Sequence, residues 1–167
     1  MLSEIYFIDI KALAEKLHAG KVSEKVALWH FILQAVLLGS GLAIPIQLSN
    51  GNEDTNLLLE ISTFLSMAII QAFGYSSLYN SNLKVDGKDF FLRYAALSLP
   101  ASIHLLAISM VFAVFFGFAI SQIEASKFGD AADAALATTV TSAFTILYFY
   151  LVNNGFKYML KASTGSA

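Results

Sequence analysis

Two histidines, a glutamine and a run of hydroxyls sit inside stretches that otherwise carry no charge, and these are the side chains with chemistry to offer. His30 and Gln34 are one helical turn apart, and His104 lies in a later apolar run. Thr138, Thr139, Thr141, Ser142 and Thr145 crowd into the last one. Two imidazoles on separate helices could hold a haem iron from both sides, and with Gln34 they could pass a proton. Neither chemistry is completed nearby: no spacing motif surrounds the histidines, and no carboxylate stands in mid-run to finish a relay. A hydrogen bond between helices uses the same residues and needs nothing more. The hydroxyls could line a water-filled path, although Ser and Thr in apolar helices more often bond the carbonyl four residues back or a neighbouring helix. All of these residues are therefore candidates for a pore or for interhelical polar contacts.

Other chemistry is missing from the sequence. There is no Gly-rich phosphate loop, no His-Glu-x-x-His, no pair of carboxylates on one helix face and no Ser-His-Asp arrangement. With no cysteine, disulfides, thiolate metal sites and cysteine nucleophiles are excluded. The expectation is a protein that is not an enzyme, with no catalytic, cofactor-binding or metal-ligating residues and no cofactor. Ten basic residues against 12 acidic ones, a net charge of −2, also exclude a general nucleic-acid binder.

The elements that must carry these residues follow from hydropathy. Of 167 residues 57% are hydrophobic and 13% charged, and the mean hydropathy is +0.66, which no average soluble domain matches. A bilayer core of about 30 Å needs roughly 20 helical residues with few charges. Four runs qualify: 26–48, 57–79, 94–123 and 134–156, the second broken only by Glu60 in its first turn. Backbone amides in hydrocarbon must be satisfied internally, so such unalternating runs are helices. Asn50-Gly51 and Asp86-Gly87 mark turns, and Asp130 with Asp133 suits the start of the last helix. The third run would reach about 45 Å. Pro100 therefore predicts a kink, with Asp89 to Leu99 partly interfacial, Phe90, Phe91 and Tyr94 dipping in and Arg93 snorkelling out; the alternative is a tilted, unbroken helix. Ile10, Leu13 and Leu17 recur on one face of residues 1–25, which reads as an amphipathic helix lying on the membrane. Ala19-Gly20 turns the chain there, and Ser23 can cap the first span.

Charge sets the orientation. Nine Lys and Arg fall in the N-terminal segment, the 80–93 segment and the tail, against only Lys127 in the other two loops, which places both termini in the cytoplasm. Trp29, Tyr75, Tyr79, Tyr94, Tyr148, Tyr150 and Tyr158 gather at the same ends, as an interfacial aromatic belt would. The outer loops carry a net −5 and the inner ones +3.

Small residues every fourth position suggest the packing faces: Ala35, Gly39 and Ala43 in the first span; Ser109, Ala113 and Gly117 in the third; Ala135, Thr139 and Ala143 in the fourth. Those of the last two spans lie in the outer half, which predicts a bundle tight outside and splayed inside. Asn153 and Asn154 read as the inner end of the last helix.

The expected fold is all-α: a polytopic membrane protein with four transmembrane helices in an antiparallel bundle over residues 26–161. An N-terminal amphipathic interfacial helix precedes it, and a cytoplasmic tail at 162–167 follows. The expected function is a non-enzymatic integral membrane subunit that anchors or assembles a membrane complex through helix packing. The alternative is an oligomeric ion channel or pore whose acidic outer face attracts cations. The expected partners are the lipid bilayer, copies of itself or other membrane subunits, and a cytoplasmic protein docked on Lys84 to Arg93 and on the N-terminal helix. The lack of targeting signals and of any Asn-x-Ser/Thr sequon fits a bacterial plasma membrane.

Overall fold

The computed structural model describes residues 8–39, 53–121 and 130–165, and every regular element among them is helical, with no strand. In chain order these are α1 (Ile10–His18), α2 (Glu24–Gly39), α3 (Glu53–Val85), α4 (Phe90–Ser121) and α5 (Asp130–Gly165). Two of them contain segments long and apolar enough to cross a membrane, Ile61–Val85 and Phe90–Phe112, with mean hydropathies of 1.3 and 1.8. The Asn50-Gly51 turn and Ala43 lie outside the described residues.

Local rules account for the ends. The Asp9 carboxylate caps α1 by accepting from the Ala12 N–H at 2.8 Å. At the other end Gly20 takes φ +65°, and the Gly20 and Lys21 amides bond back to the Leu17 and Lys16 carbonyls, a Schellman closure. Ser23 starts α2, its carbonyl and hydroxyl both accepting from the Val26 N–H at 3.0 and 3.4 Å. Between α3 and α4 only Asp86 to Asp89 remain outside helix, with Gly87 at φ +73° and Asp89 at φ +49°. The broad inner loop expected over 80–93 is thus a four-residue turn, because both helices continue into it.

Side-chain contacts fix the directions of the helices. Thr63 meets Thr138, Met67 meets Thr145 and Tyr75 meets Phe149, so α3 and α5 run in the same sense. Phe90 stacks near Phe156 while Phe112 meets Phe144, so α4 opposes α5. The turn makes α3 oppose α4, and α2 lies beside α4 with its first turn level with that of α4. Two glycines permit the closest approaches. A Cβ on Gly74 would collide with the Phe149 ring, and one on Gly155 would lie 2.6 Å from Leu97 Cδ2.

Four expectations are corrected here. The apolar face of α1 is not left for lipid: Leu13, Ala14 and Leu17 are buried against α4 and α5, in one core with Leu97, Val152, Phe156 and Met159. Residues 96–102 of α4 are not interfacial but the most continuously buried stretch among the described residues, and the helix runs through Pro100 without ending. Asn153 and Asn154 stand inside α5, which continues to Gly165. Finally, among the described residues burial is concentrated at the end that holds α1 and the Asp86–Asp89 turn, not toward the outer half. At the opposite end Ile108, Met110, Val111 and Leu136 are exposed. Among the described residues packing is densest where α1 adds a fifth helix against α4 and α5.

If α1 is an integral part of this core, Leu13→Ala should lower stability by about 2–5 kcal/mol. Ile8→Ala, at a side chain 66% exposed, should change little. Thermal unfolding of both variants in one detergent measures the difference.

Candidate functional site

Pro100 has no N–H, so the Ala96 carbonyl four residues back loses its helical partner in a buried stretch of α4. His30 answers it from α2: its fully buried ring donates Nδ1–H to the Ala96 oxygen at 2.7 Å. The proline and the histidine are therefore one device, a break in one helix repaired by its neighbour. One turn further along α2, Gln34 donates from Nε2 to the Tyr148 hydroxyl at 3.0 Å. Tyr148 donates on to the Tyr94 hydroxyl at 3.2 Å, and Tyr94 meets the Tyr75 hydroxyl at 3.2 Å. One polar side chain from each of α2, α5, α4 and α3 thus joins a single chain of hydrogen bonds. The rings wall it in, with Tyr75 edge-on to Tyr94 and to Phe149 at centroid distances of 5.5 and 5.1 Å. Gln34 Oε1 and Ser102 Oγ are buried beside no hydrogen-bond partner among the described residues.

A second polar cluster closes the α3–α4 turn. Arg93, in the first turn of α4, is buried. It grips both Asp86 carboxylate oxygens at 2.6 and 2.8 Å and donates to Asn82 Oδ1 at 2.9 Å. Asn82 in turn donates to the Lys88 carbonyl, and the Lys88 N–H donates to Asp86. Arg93 does not snorkel outward as expected, because the turn brings an anion to it. The hydrogen bonds from Arg93 pull the Asp86 carboxyl down to about 2 against an opposing push from burial, with the Lys88 N–H adding to the pull.

Of the candidate residues, His30 and Gln34 enter this layer. His104 does not meet His30 through any described hydrogen bond; its Nδ1 donates to the Pro100 carbonyl of its own helix at 2.7 Å. Thr138 shares a hydrogen bond with Thr63 across α3 and α5 at 2.9 Å. Thr139 and Thr145 bond back to the Ala135 and Thr141 carbonyls, and Thr141 and Ser142 are half-buried. Among the expected packing residues, Ala35, Ala135, Thr139 and Ala143 are exposed, and Ser109 is half-buried with its hydroxyl on the Leu106 carbonyl. Gly39, Ala113 and Gly117 fall within α2 and α4. Among the described residues, close contacts inside the chain are made at Gly74 and Gly155.

The tyrosines were legible in the sequence only as a belt. Their partnership had a signal: Tyr75 with Tyr94 and Tyr79 with Phe90 share one midpoint, between Lys84 and Val85 just before the turn, as successive partners across a helical hairpin must. No group of three His, Asp or Glu able to hold a metal comes together among the described residues. Compared with known proteins, the chain matches no family model, no curated protein and no solved structure.

Two experiments test these clusters. His30→Leu strands the Ala96 carbonyl and should cost about 1–3 kcal/mol. Pro100→Ala in that background restores a helical N–H and should return most of the loss; if it deepens the loss, the two residues are not a unit. For Asp86 the folded value lies below the ordinary 3.8. Its contribution is therefore complete above about pH 4 and disappears as the pH falls through about 2. The melting-temperature gap between wild type and Asp86→Asn should be constant above pH 4 and close between pH 4 and 2.

Proposed function

We propose that this chain is a non-enzymatic integral membrane protein, crossing the bilayer with α2, α3, α4 and α5 and keeping both termini in the cytoplasm. It serves as an anchoring or assembly subunit of a membrane complex. The observation that carries this reading is the inversion of polarity in the bundle. The polar groups of four helices are turned onto one another, while large apolar side chains such as Phe64 (71% exposed) and Phe73 (74%) face outward along α3. Water would penalise so continuous an apolar surface, and hydrocarbon does not.

The arrangement favours assembly over conduction. The hydroxyls that would line a pore are occupied, Thr138 by Thr63 and Thr139 and Thr145 by their own helix. The small residues that would bring helices together, Ala35, Ala135 and Ala143, are exposed on the single chain and available to another. Docking of a cytoplasmic partner falls to the exposed Lys84 and Lys88 beside the turn, since Arg93 is committed within the fold.

Alkaline carbonate washing of membranes from the protein's own host, followed by gentle extraction and native mass measurement, tests the reading. Retention in the pellet and co-purification with other chains in fixed ratio are expected. Release by carbonate would refute the membrane assignment. A closed ring of identical copies that conducts ions in liposomes, with conductance lowered in Thr139→Val and Thr145→Val, would replace the subunit reading with the pore.

A further inference from the structure

Helix α3 meets α5 through Thr63, Met67 and Gly74. Beside that contact runs a second line of residues, Ile61, Phe64, Ala68, Gln71 and Tyr75, spaced alternately three and four apart, and all five are exposed. Such spacing is the seam along which one helix packs on another at a small crossing angle. Gln71 is the residue that does not suit lipid. Its carboxamide carries two N–H donors and a carbonyl, and no described side chain or carbonyl bonds it. The hydroxyls nearby fare differently: Ser66 and Thr139 turn back to the carbonyls four residues before them, and Thr63 pairs with Thr138. A backbone carbonyl could take one N–H of an amide and would leave the other N–H and the amide carbonyl unmet. Depth makes this costly. Tyr79 lies against Phe90, where the apolar segment of α4 begins, and Gln71 is two helical turns further in, about 12 Å, near the middle of a core of about 30 Å.

We propose that α3 pairs along this seam with α3 of a second copy of the chain, the two Gln71 carboxamides hydrogen-bonded to each other. The inference rests on the membrane reading above and names one partner in the assembly it describes. Acyl chains offer an amide neither donor nor acceptor, so the partner of Gln71 has to be protein. Copies inserted with one orientation are related by an axis along the membrane normal, which sets every residue of α3 at the depth of its counterpart. A second copy therefore always presents a carboxamide at the level of Gln71, where another protein would need a polar group placed there by coincidence. The amide is also complementary to itself. Each N–H donates to the carbonyl of the other, and the two bonds close across the axis. Ala68, one turn away on the seam, is small enough to let the two backbones approach. One polar side chain in an otherwise apolar seam fixes the register of the pair, because a slip by a turn would strand both amides.

The chain has no cysteine, so single substitutions in the full-length protein report on one position each. In membranes of the host, mild oxidation of Ala68→Cys should give a disulfide-linked dimer, and Phe73→Cys, exposed on the far side of α3, should give little. Adding Gln71→Leu to Ala68→Cys should lower the cross-linked fraction, and Gln71→Asn, which keeps the amide, should restore it. Fluorescence energy transfer on dilution into vesicle lipid then measures the pairing. Gln71→Leu should raise the dimer dissociation constant about tenfold, the size of effect an interhelical hydrogen-bonded pair gives. Because no described residue bonds Gln71, the leucine variant keeps the hydrogen bonds of its own chain, and an unchanged melting temperature at high dilution checks this. No cross-link at position 68, equal cross-linking at 73, or a dimer indifferent to Gln71→Leu would overturn the proposal while carbonate resistance kept the membrane reading intact. Release by carbonate would overturn both.

Discussion

Pro100 removes a backbone donor from the middle of a buried helix, and the Ala96 carbonyl that loses it must find another. The stretch is buried away from solvent, so the replacement has to come from protein. His30 provides it, and in doing so fixes how far α2 slides along α4. That register sets the rest of the polar layer. With His30 on Ala96, Gln34 reaches Tyr148, and through Tyr148 and Tyr94 the constraint passes to Tyr75 on α3. A residue that ordinarily breaks a helix has become the point at which four helices are aligned.

The Arg93 cluster performs a similar service for the hairpin. A buried guanidinium without an anion is among the most costly arrangements a fold can contain, and Asp86 reaches it only when the turn is as short as four residues. The charged pair therefore ties the length of α3 to the start of α4. Its position at the same end as the core of α1 explains the unevenness of the bundle. One end is held by a core, a hydrogen-bonded chain and an ion pair. Toward the other, the described side chains include outward-facing apolar ones, and Thr63 pairs with Thr138.

The anchoring role proposed above would make use of such unevenness. In that role the well-packed end would give footing to whatever docks there, and the apolar remainder would pack against lipid or further helices.

The sequence by itself determined that the described chain is helical, where its apolar runs lie, and that Gly20, Ser23 and the Asp86-Gly87 pair punctuate it. These are local matters, decided by hydropathy over about 20 residues and by the backbone preferences of single residues. His30 and Gln34 were also legible as polar groups in need of partners. The partners themselves were not, because Ala96 lies 66 residues from His30 and Tyr148 lies 114 from Gln34. Arg93 read as snorkelling and the tyrosines as a belt for the same reason: an amphipathic side chain near a helix end has two ways to satisfy its polar tip, in headgroup water or on another helix. Only the tertiary structure chooses between them, since the choice depends on which helices lie side by side and at what register.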